Sequence, residues 1–457
     1  MSGLLESRDY LIKCLGFVLL FGFISLGAIG GCNNGNSNFG LTSGDRTITF
    51  INNCSQNIWI GVNGADPENQ MKKCTDSPDT CPAGQACNTR AKPDSQCEWI
   101  LPSPTSGSFE LTASGEQGNQ ATFTIPISQA VGTGGQILNV NIYGQTGCTS
   151  VGDCTQGPCG GSCETAPCNA PSRDKPCETG AGPEGAHSQG ELNLFKSRVD
   201  NYDISYLNGF NLPFEIKPLN VTTDSSNPYV CGNPGSNVAI TNLNDCLYKF
   251  NTFITINSMT TNYAPYLRYV TNGGGTCTPT MSNLDPACDN KDEVCGLSMS
   301  EDFTTLATTC GTQIGWWNAN EVCTTVTSFN EGPFDCQGST DQGTFFNLYG
   351  CSGTNATDCY NKNSNTMCCG CPVWTDVPLP PCTNIDDKCC FNHNPTWENL
   401  AQPWAKFMKD ACSTAFSFPN DDATSDFSCP KTNPDTNMTN YEVIFCPGGL
   451  TGLPMSL

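Results

Sequence analysis

The chain has 457 residues, of which 32 are cysteine and only 14% are charged, with 46 glycines, 31 prolines and a formal net charge of −23. Such a charge excludes the basic face that nucleic-acid phosphates need, and it disfavours adhesion to anionic lipid headgroups. So many thiols exclude a reducing compartment as the working environment and point to a disulfide framework outside the cytoplasm.

The first element in chain order is an apolar run, residues 14–30 (CLGFVLLFGFISLGAIG), preceded by Arg8 and Lys13. A charged lead followed by a short apolar stretch is the pattern of a signal peptide, expected over 1–31. Ile29-Gly30-Gly31-Cys32 resembles the bacterial lipoprotein processing site, with Cys32 as the lipidated residue and Asn33 favouring the outer membrane. A simply cleaved, secreted form and an uncleaved anchor are the alternatives. Residues 32–44 read as a flexible tether. Setting Cys14 and Cys32 aside leaves 30 cysteines, enough for at most 15 disulfides.

From residue 45 the sequence turns to short β-branched and aromatic runs separated by Gly/Ser/Asn turns. Thr47, Thr49 and Ile51 alternate with Ile48 and Phe50, and a second strand is expected around Ile58–Val62. Further strands are expected at Phe109–Ala113, Ala121–Ile127, Gln136–Tyr143, Tyr202–Leu207 and Tyr441–Phe445. Strands in this number with few helical periods predict an all-β sandwich or barrel. A cysteine-rich subdomain is expected at 148–177. Residues 225–411 hold 16 cysteines among long polar loops, which reads as an inserted, disulfide-ordered domain. Two short helices are expected there, Met299–Thr309 and Thr396–Ala411, the second amphipathic and kinked at Pro403. The sandwich resumes at 412–450, and 451–457 is a tail.

Four stretches, in order, resemble the thaumatin-like protein family: TITFINNCSQNIWIGV; YGQTGC with VGDC and CGG; GELNLFKSRVDNYDISYLNGFNLPFEI; and CSTAFSFPNDDATSDFSCP with NYEVIFCP. The resemblance implies an antiparallel β-sandwich with disulfide-rich loop domains inserted. It implies that Cys54 pairs with Cys446, and that Cys412 and Cys429 pair back into the middle segment with unassigned partners. The cysteine clusters around Cys368 and Cys389 read as disulfide knots rather than metal sites.

The family carries an acidic cleft of one arginine, one glutamate and three aspartates. Matched motif by motif, its glutamate falls on Glu191, its first aspartate on Asp203, and its last on Asp421 or the adjacent Asp422. Asn208 stands in place of the remaining aspartate, Asn141 in place of the arginine, and Tyr143 in place of a tryptophan. The resemblance therefore implies binding of β-1,3-glucan or a similar cell-wall polysaccharide. Two carboxylates in unequal environments also suit glycoside hydrolysis, with Glu191 as the acid beside Asp203. A disulfide-stapled antimicrobial or enzyme-inhibitor protein is the third expectation, in which Glu191 and Asp203 are structural acceptors for loop amides. Asp421, Asn208, Asn141, Tyr143 and Phe210 are the expected binding residues, Tyr143, Phe210 or Tyr202 offering a stacking ring unless they are core. His187, four residues before Glu191, reads as a solvated loop residue. No cofactor, metal or nucleic acid is expected, membrane contact only through a lipid anchor, and the protein is expected to be a monomer.

Overall fold

The computed structural model describes residues 45–64, 74, 81, 84–88, 96–99, 108–130, 134–148, 163–168, 182–224, 226–239, 243, 245–340, 343–344, 348–351, 374, 395–430 and 439–453. The signal and tether, Cys32 included, and the clusters around Cys368 and Cys389 lie outside them. Alternation sets the first strand. In β1 (Arg46–Asn52) every second residue from Arg46 is buried, so Ile48 and Phe50 face inward while Thr47, Thr49 and Ile51 sit near the surface. The strands that follow are β2 (Ile58–Gly64), β3 (Ser108–Leu111), β4 (Gln120–Ile125), β5 (Gln136–Gln145), β6 (Gln189–Phe195), β7 (Asp200–Ser205) and β8 (Phe214–Leu219). Near the end of the chain β15 (Phe427–Cys429) and β16 (Asn440–Phe445) return to the same sheets.

One sheet has the order β8-β16-β1-β4 and the other β15-β7-β6-β5-β2-β3. Ladders are antiparallel except that β1 runs parallel to β16, from Ile48 opposite Tyr441 to Asn52 opposite Phe445. Aromatic rings join the sheets: Phe50 meets Phe109 edge-on at 5.3 Å, and Tyr202 meets Tyr441 at 5.2 Å. Geometries of this kind add about 0.5–1.5 kcal/mol each beyond the area they bury.

The middle segment adds a hairpin, β9 (Phe253–Ile256) with β10 (Met259–Asn262), and a sheet of order β13-β12-β11-β14. These four are β11 (Arg268–Val270), β12 (Val294–Met299), β13 (Leu306–Gly311) and β14 (Gln313–Trp316). Residues 299–309, expected as a helix, instead end one strand and begin the next. Thr304, Thr305, Thr308 and Thr309 are β-branched and favour extended backbone. The turn is closed by Ser300 N donating to Thr305 O at 2.9 Å, and Cys295 sits opposite Cys310. The expected helix at 396–411 forms as α2 (Pro395–Leu400) and α3 (Gln402–Ala411), broken at Ala401 just ahead of Pro403. Ahead of both in the chain lies α1 (Ala319–Thr325).

Cys54 pairs with Cys446, as the resemblance implied, and Cys412 and Cys429 find Cys246 and Cys231. Cys277–Cys295 and Cys288–Cys310 bracket the middle sheet, and Cys323–Cys336 ties α1 to the loop behind it. Three cysteine sulfurs, of Cys74, Cys81 and Cys97, come within 4.8 Å of one another, but each already belongs to a disulfide, Cys74–Cys87 or Cys81–Cys97. No helix among the described residues is long and apolar enough to cross a membrane.

Candidate polar sheet face

The six-stranded sheet has two unlike faces because β5, β6 and β7 alternate through their central residues. Val140, Ile142, Leu192, Tyr202 and Ile204 are fully buried against the other sheet. The residues between them project from the opposite face. Register brings Asn141 opposite Glu191 and Glu191 opposite Asp203, and on the far side Asn63 of β2 opposite Asn141. A four-residue row therefore crosses four strands. Facing pairs in such a ladder have Cβ atoms about 4.5–5.5 Å apart. One step along, Asn139, Asn193 and Asn201 form a second row; one step back, Tyr143, Gln189 and Ser205 form a third.

Of the sequence-level candidates, the structure thus brings Asn141, Glu191 and Asp203 together. All three are half-buried. Burial pushes the Glu191 carboxyl above its ordinary value, opposed by a 3.2 Å hydrogen bond that Gln189 Nε2 donates to Oε1. A second carboxyl directly opposite works in the same direction as burial, since two like charges in one row disfavour full ionisation.

Asn208 reaches the edge of this face from a turn at residues 206–209. The turn depends on Gly209, at φ +91°, where a Cβ would lie 2.7 Å from both Ala186 Cβ and the Trp316 carbonyl oxygen. His187 N donates to Asn208 O at 2.9 Å, which fixes the turn beside the 185–188 segment. His187 is not a solvated loop residue: it is 3% exposed, and burial lowers its ring to about 4, so it is neutral.

The remaining candidates lie elsewhere. Asp421 is buried, its oxygens taken by Lys409 Nζ at 2.9 Å, Ser417 N and Oγ, Thr424 Oγ1 and Trp374 Nε1. It closes an internal ion pair rather than facing the polar row, and Lys409 is a buried cation that motif matching did not reveal. Asp422 begins a short helical turn and is half-buried. None of the three rings is open for stacking. Phe210 is core, against Tyr206 and Phe250, with its backbone paired to Trp316. Tyr202 faces the core and donates to Gly232 O at 2.7 Å. Tyr143 is on the polar face yet 1% exposed, because its ring lies across Gly61, where a Cβ would come within 2.1 Å of Tyr143 Cζ.

Sequence reasoning missed Asn63, Asn139, Asn193 and Asn201. Their signal was present: Asn139-Val-Asn141, Glu191-Leu-Asn193 and Asn201-Tyr-Asp203 each place two polar residues around one apolar residue, the two-residue period of a half-wet strand. The arrangement offers a strip of amides with two carboxyls at the β6–β7 end of its middle row. Amides give and accept hydrogen bonds without charge, and the carboxyls add stronger, charge-assisted acceptors. Hydroxyl-rich neutral ligands suit such a strip.

No family model matches the chain. Over 69 residues it is 44% identical to a "Thaumatin-like protein" of Actinidia deliciosa, covering 15% of this chain and 26% of that protein. Over that segment the chain is similar to thaumatin-like proteins. It is also 38% identical over 69 residues to an "Alpha-amylase/trypsin inhibitor" of Zea mays, covering 15% of this chain and 29% of that one. The matches thus span little more than a quarter of these relatives. Among solved structures, a "laminaripentaose-producing beta-1,3-glucanase in complex with laminaritetraose" aligns over 88% of this chain and 99% of its own, at 12% identity and a TM-score of 0.29. A score so low carries no argument about function. The fold itself is a two-sheet β-sandwich carrying disulfide-rich loops, consistent with the architecture the resemblance implied.

Proposed function

We propose that the chain is an extracytoplasmic thaumatin-like protein that binds β-1,3-glucan or a similar neutral cell-wall polysaccharide on the polar face of its six-stranded sheet. The observation that carries this reading is the row Asn63–Asn141–Glu191–Asp203 across four neighbouring strands. In this proposal the sandwich comprises 45–224 and 412–450, the cysteine-rich segment 225–411 is an insertion, and Cys32 carries the lipid anchor of an outer-membrane lipoprotein. The ligand contacts are assigned to Asn141, Glu191, Asp203 and Asn208. Asp421, Tyr143 and Phe210 act behind the surface as support.

The test is a pull-down of the oxidised protein on insoluble β-1,3-glucan, with Glu191→Gln in parallel and the supernatant assayed for reducing ends. Binding weakened about tenfold or more in Glu191→Gln is expected, the loss of one charge-assisted hydrogen bond of about 1.5–3 kcal/mol. Equal retention of both proteins on glucan and on an unrelated resin would remove the sugar reading. A second reading, weak endo-β-1,3-glucanase activity, is favoured by one observation: Glu191, held towards its protonated form by burial, lies directly across from Asp203. Facing positions on neighbouring strands are ones from which two carboxyls can reach the separation of about 5–5.5 Å used by retaining glycosidases. Reducing ends released by the native chain and lost in Glu191→Gln would establish it.

A further inference from the structure

Two polar side chains, Asn208 and Gln189, link the buried His187 to the Glu191 carboxyl. His187 Nδ1 lies 2.7 Å from Gly185 O. Asn208 Nδ2 lies 3.2 Å from His187 Nε2 and 3.4 Å from Gln189 Oε1. Gln189 Nε2 lies 3.2 Å from Glu191 Oε1. The direction of every bond follows from one end. A backbone carbonyl only accepts, so Nδ1 carries the proton. The ring is buried and neutral, so Nε2 has no proton and must accept. Asn208 therefore turns its NH₂ towards His187 and Gln189, Gln189 answers with its oxygen, and the Gln189 NH₂ is left for Glu191.

We propose that His187, acting through Asn208 and Gln189, is a positioning residue that keeps Glu191 Oε1 an acceptor and confines the acid proton of Glu191 to Oε2. The inference rests on reading Glu191 as the working carboxyl of the polar face. It assigns that carboxyl an orientation: one oxygen is committed to the protein, and the other is the donor or acceptor offered to a sugar hydroxyl or glycosidic oxygen. The departure of this chain from the family pattern at Asn208 is what allows it. An aspartate there, ionised, donates to neither neighbour. It would draw the Gln189 NH₂ to itself, turn Gln189 Oε1 towards Glu191 Oε1, and so demand that the single carboxyl proton sit on Oε1.

The groups facing the relay are few among the described residues. Asp203 faces Glu191 from β7, and Asn141 faces it from β5. Tyr143 presents its ring to His187 from β5, with centroids 6.4 Å apart. Asn208 approaches from the 206–209 turn. Asp203 is therefore the carboxyl directly across the ladder from Glu191.

The experiment is carbon-13 NMR titration of the glutamate side-chain carboxyls in the oxidised full chain, with the Glu191 signal assigned by its loss in Glu191→Gln. Asn208→Asp is expected to raise the Glu191 midpoint by about one pH unit or more, a tenfold change in proton affinity. Gln189→Met removes the donor without adding a charge and is expected to raise it by a smaller amount. His187→Gln is expected to move it as well, although that side chain does not touch Glu191. Should Asn208→Asp fail to fold, Gln189→Met and His187→Gln decide the matter. A Glu191 midpoint unchanged in the folded variants overturns the relay whatever the protein binds. Shifted midpoints in a protein that ignores glucan would uphold the relay and remove the sugar reading instead.

Discussion

Arg46→Met is expected to cost about 3–5 kcal/mol of stability, the usual penalty for leaving one partner of a buried ion pair behind. Arg46 and Asp200 are both fully buried. Asp200 Oδ1 accepts from Arg46 Nη1 and from the Phe195 backbone N–H, each at 2.9 Å, and Oδ2 accepts from Arg46 Nη2 and from Tyr441 OH. Arg46 Nε reaches Thr439 O at 2.7 Å. The pair thus ties β1, the β6–β7 turn and the approach to β16 at one end of the sandwich. Methionine fills the volume but removes the charge, so Asp200 keeps two neutral donors and no cation. Arg46→Met combined with Asp200→Leu removes both charges, and its loss is expected to fall well short of the two single losses added together. Guanidinium unfolding of the oxidised proteins measures this. A loss below about 1 kcal/mol in the single variant would show that water or another cation reaches Asp200.

Raising the pH from 5 to 7 is expected to cost about 3 kcal/mol through Glu321 alone. This residue sits in the first turn of α1, is 8% exposed, and accepts from Thr325 Oγ1 at 3.0 Å. A helix amino terminus ordinarily favours a carboxylate. Burial prevails here and pushes the carboxyl up to about 8, with nearby Glu184 adding to the rise. The sign follows from linkage. Between about 4.5 and 8 the unfolded chain has released this proton and the folded chain holds it, so stability is full below the lower value and falls at about 1.4 kcal/mol per unit as pH rises towards the higher. Glu321→Gln copies the neutral acid and removes the dependence. Urea unfolding of both proteins at pH 5 and pH 7 gives a double difference in which all other titrating groups cancel. Parallel pH profiles would mean that Glu321 is ionised in the folded state.

Much of this architecture was legible from the period of the sequence. Alternation located β1, β2, β5 and β16 to within a few residues, and the twelve-residue step from Glu191 to Asp203 is what a short hairpin needs to bring them face to face. Alternation tells which side of a strand a residue takes, but not what covers that side. Tyr143 shares the polar face with Asn141 and Glu191, and only the packing of Gly61 and His187 over it makes it core. His187 lies in a glycine-rich run that reads as an exposed loop, and Asn208, twenty-one residues on, is what encloses it. Asp421 sits in a motif that reads as a cleft aspartate, while its partner Lys409 lies on the buried side of an amphipathic helix, a place where a cation is not anticipated. The missed hairpin at 294–311 combined a run that can be drawn as a helix with threonines that prefer extended backbone, and its disulfides decided between them.

The parallel pairing of β1 with β16 has a mechanical consequence. A pull applied to the chain ahead of Asp45 acts along β1, which is bonded on one flank to β16 and on the other to β4. The force loads both ladders lengthwise, so their hydrogen bonds must give together instead of peeling one at a time. Just beyond β1, Cys54 is joined covalently to Cys446. Even a strand torn free would run out of slack within a few residues, and the tension would pass directly to the far end of the polypeptide. A body built this way can be held by its leading end against flow or drag without being drawn out into a thread.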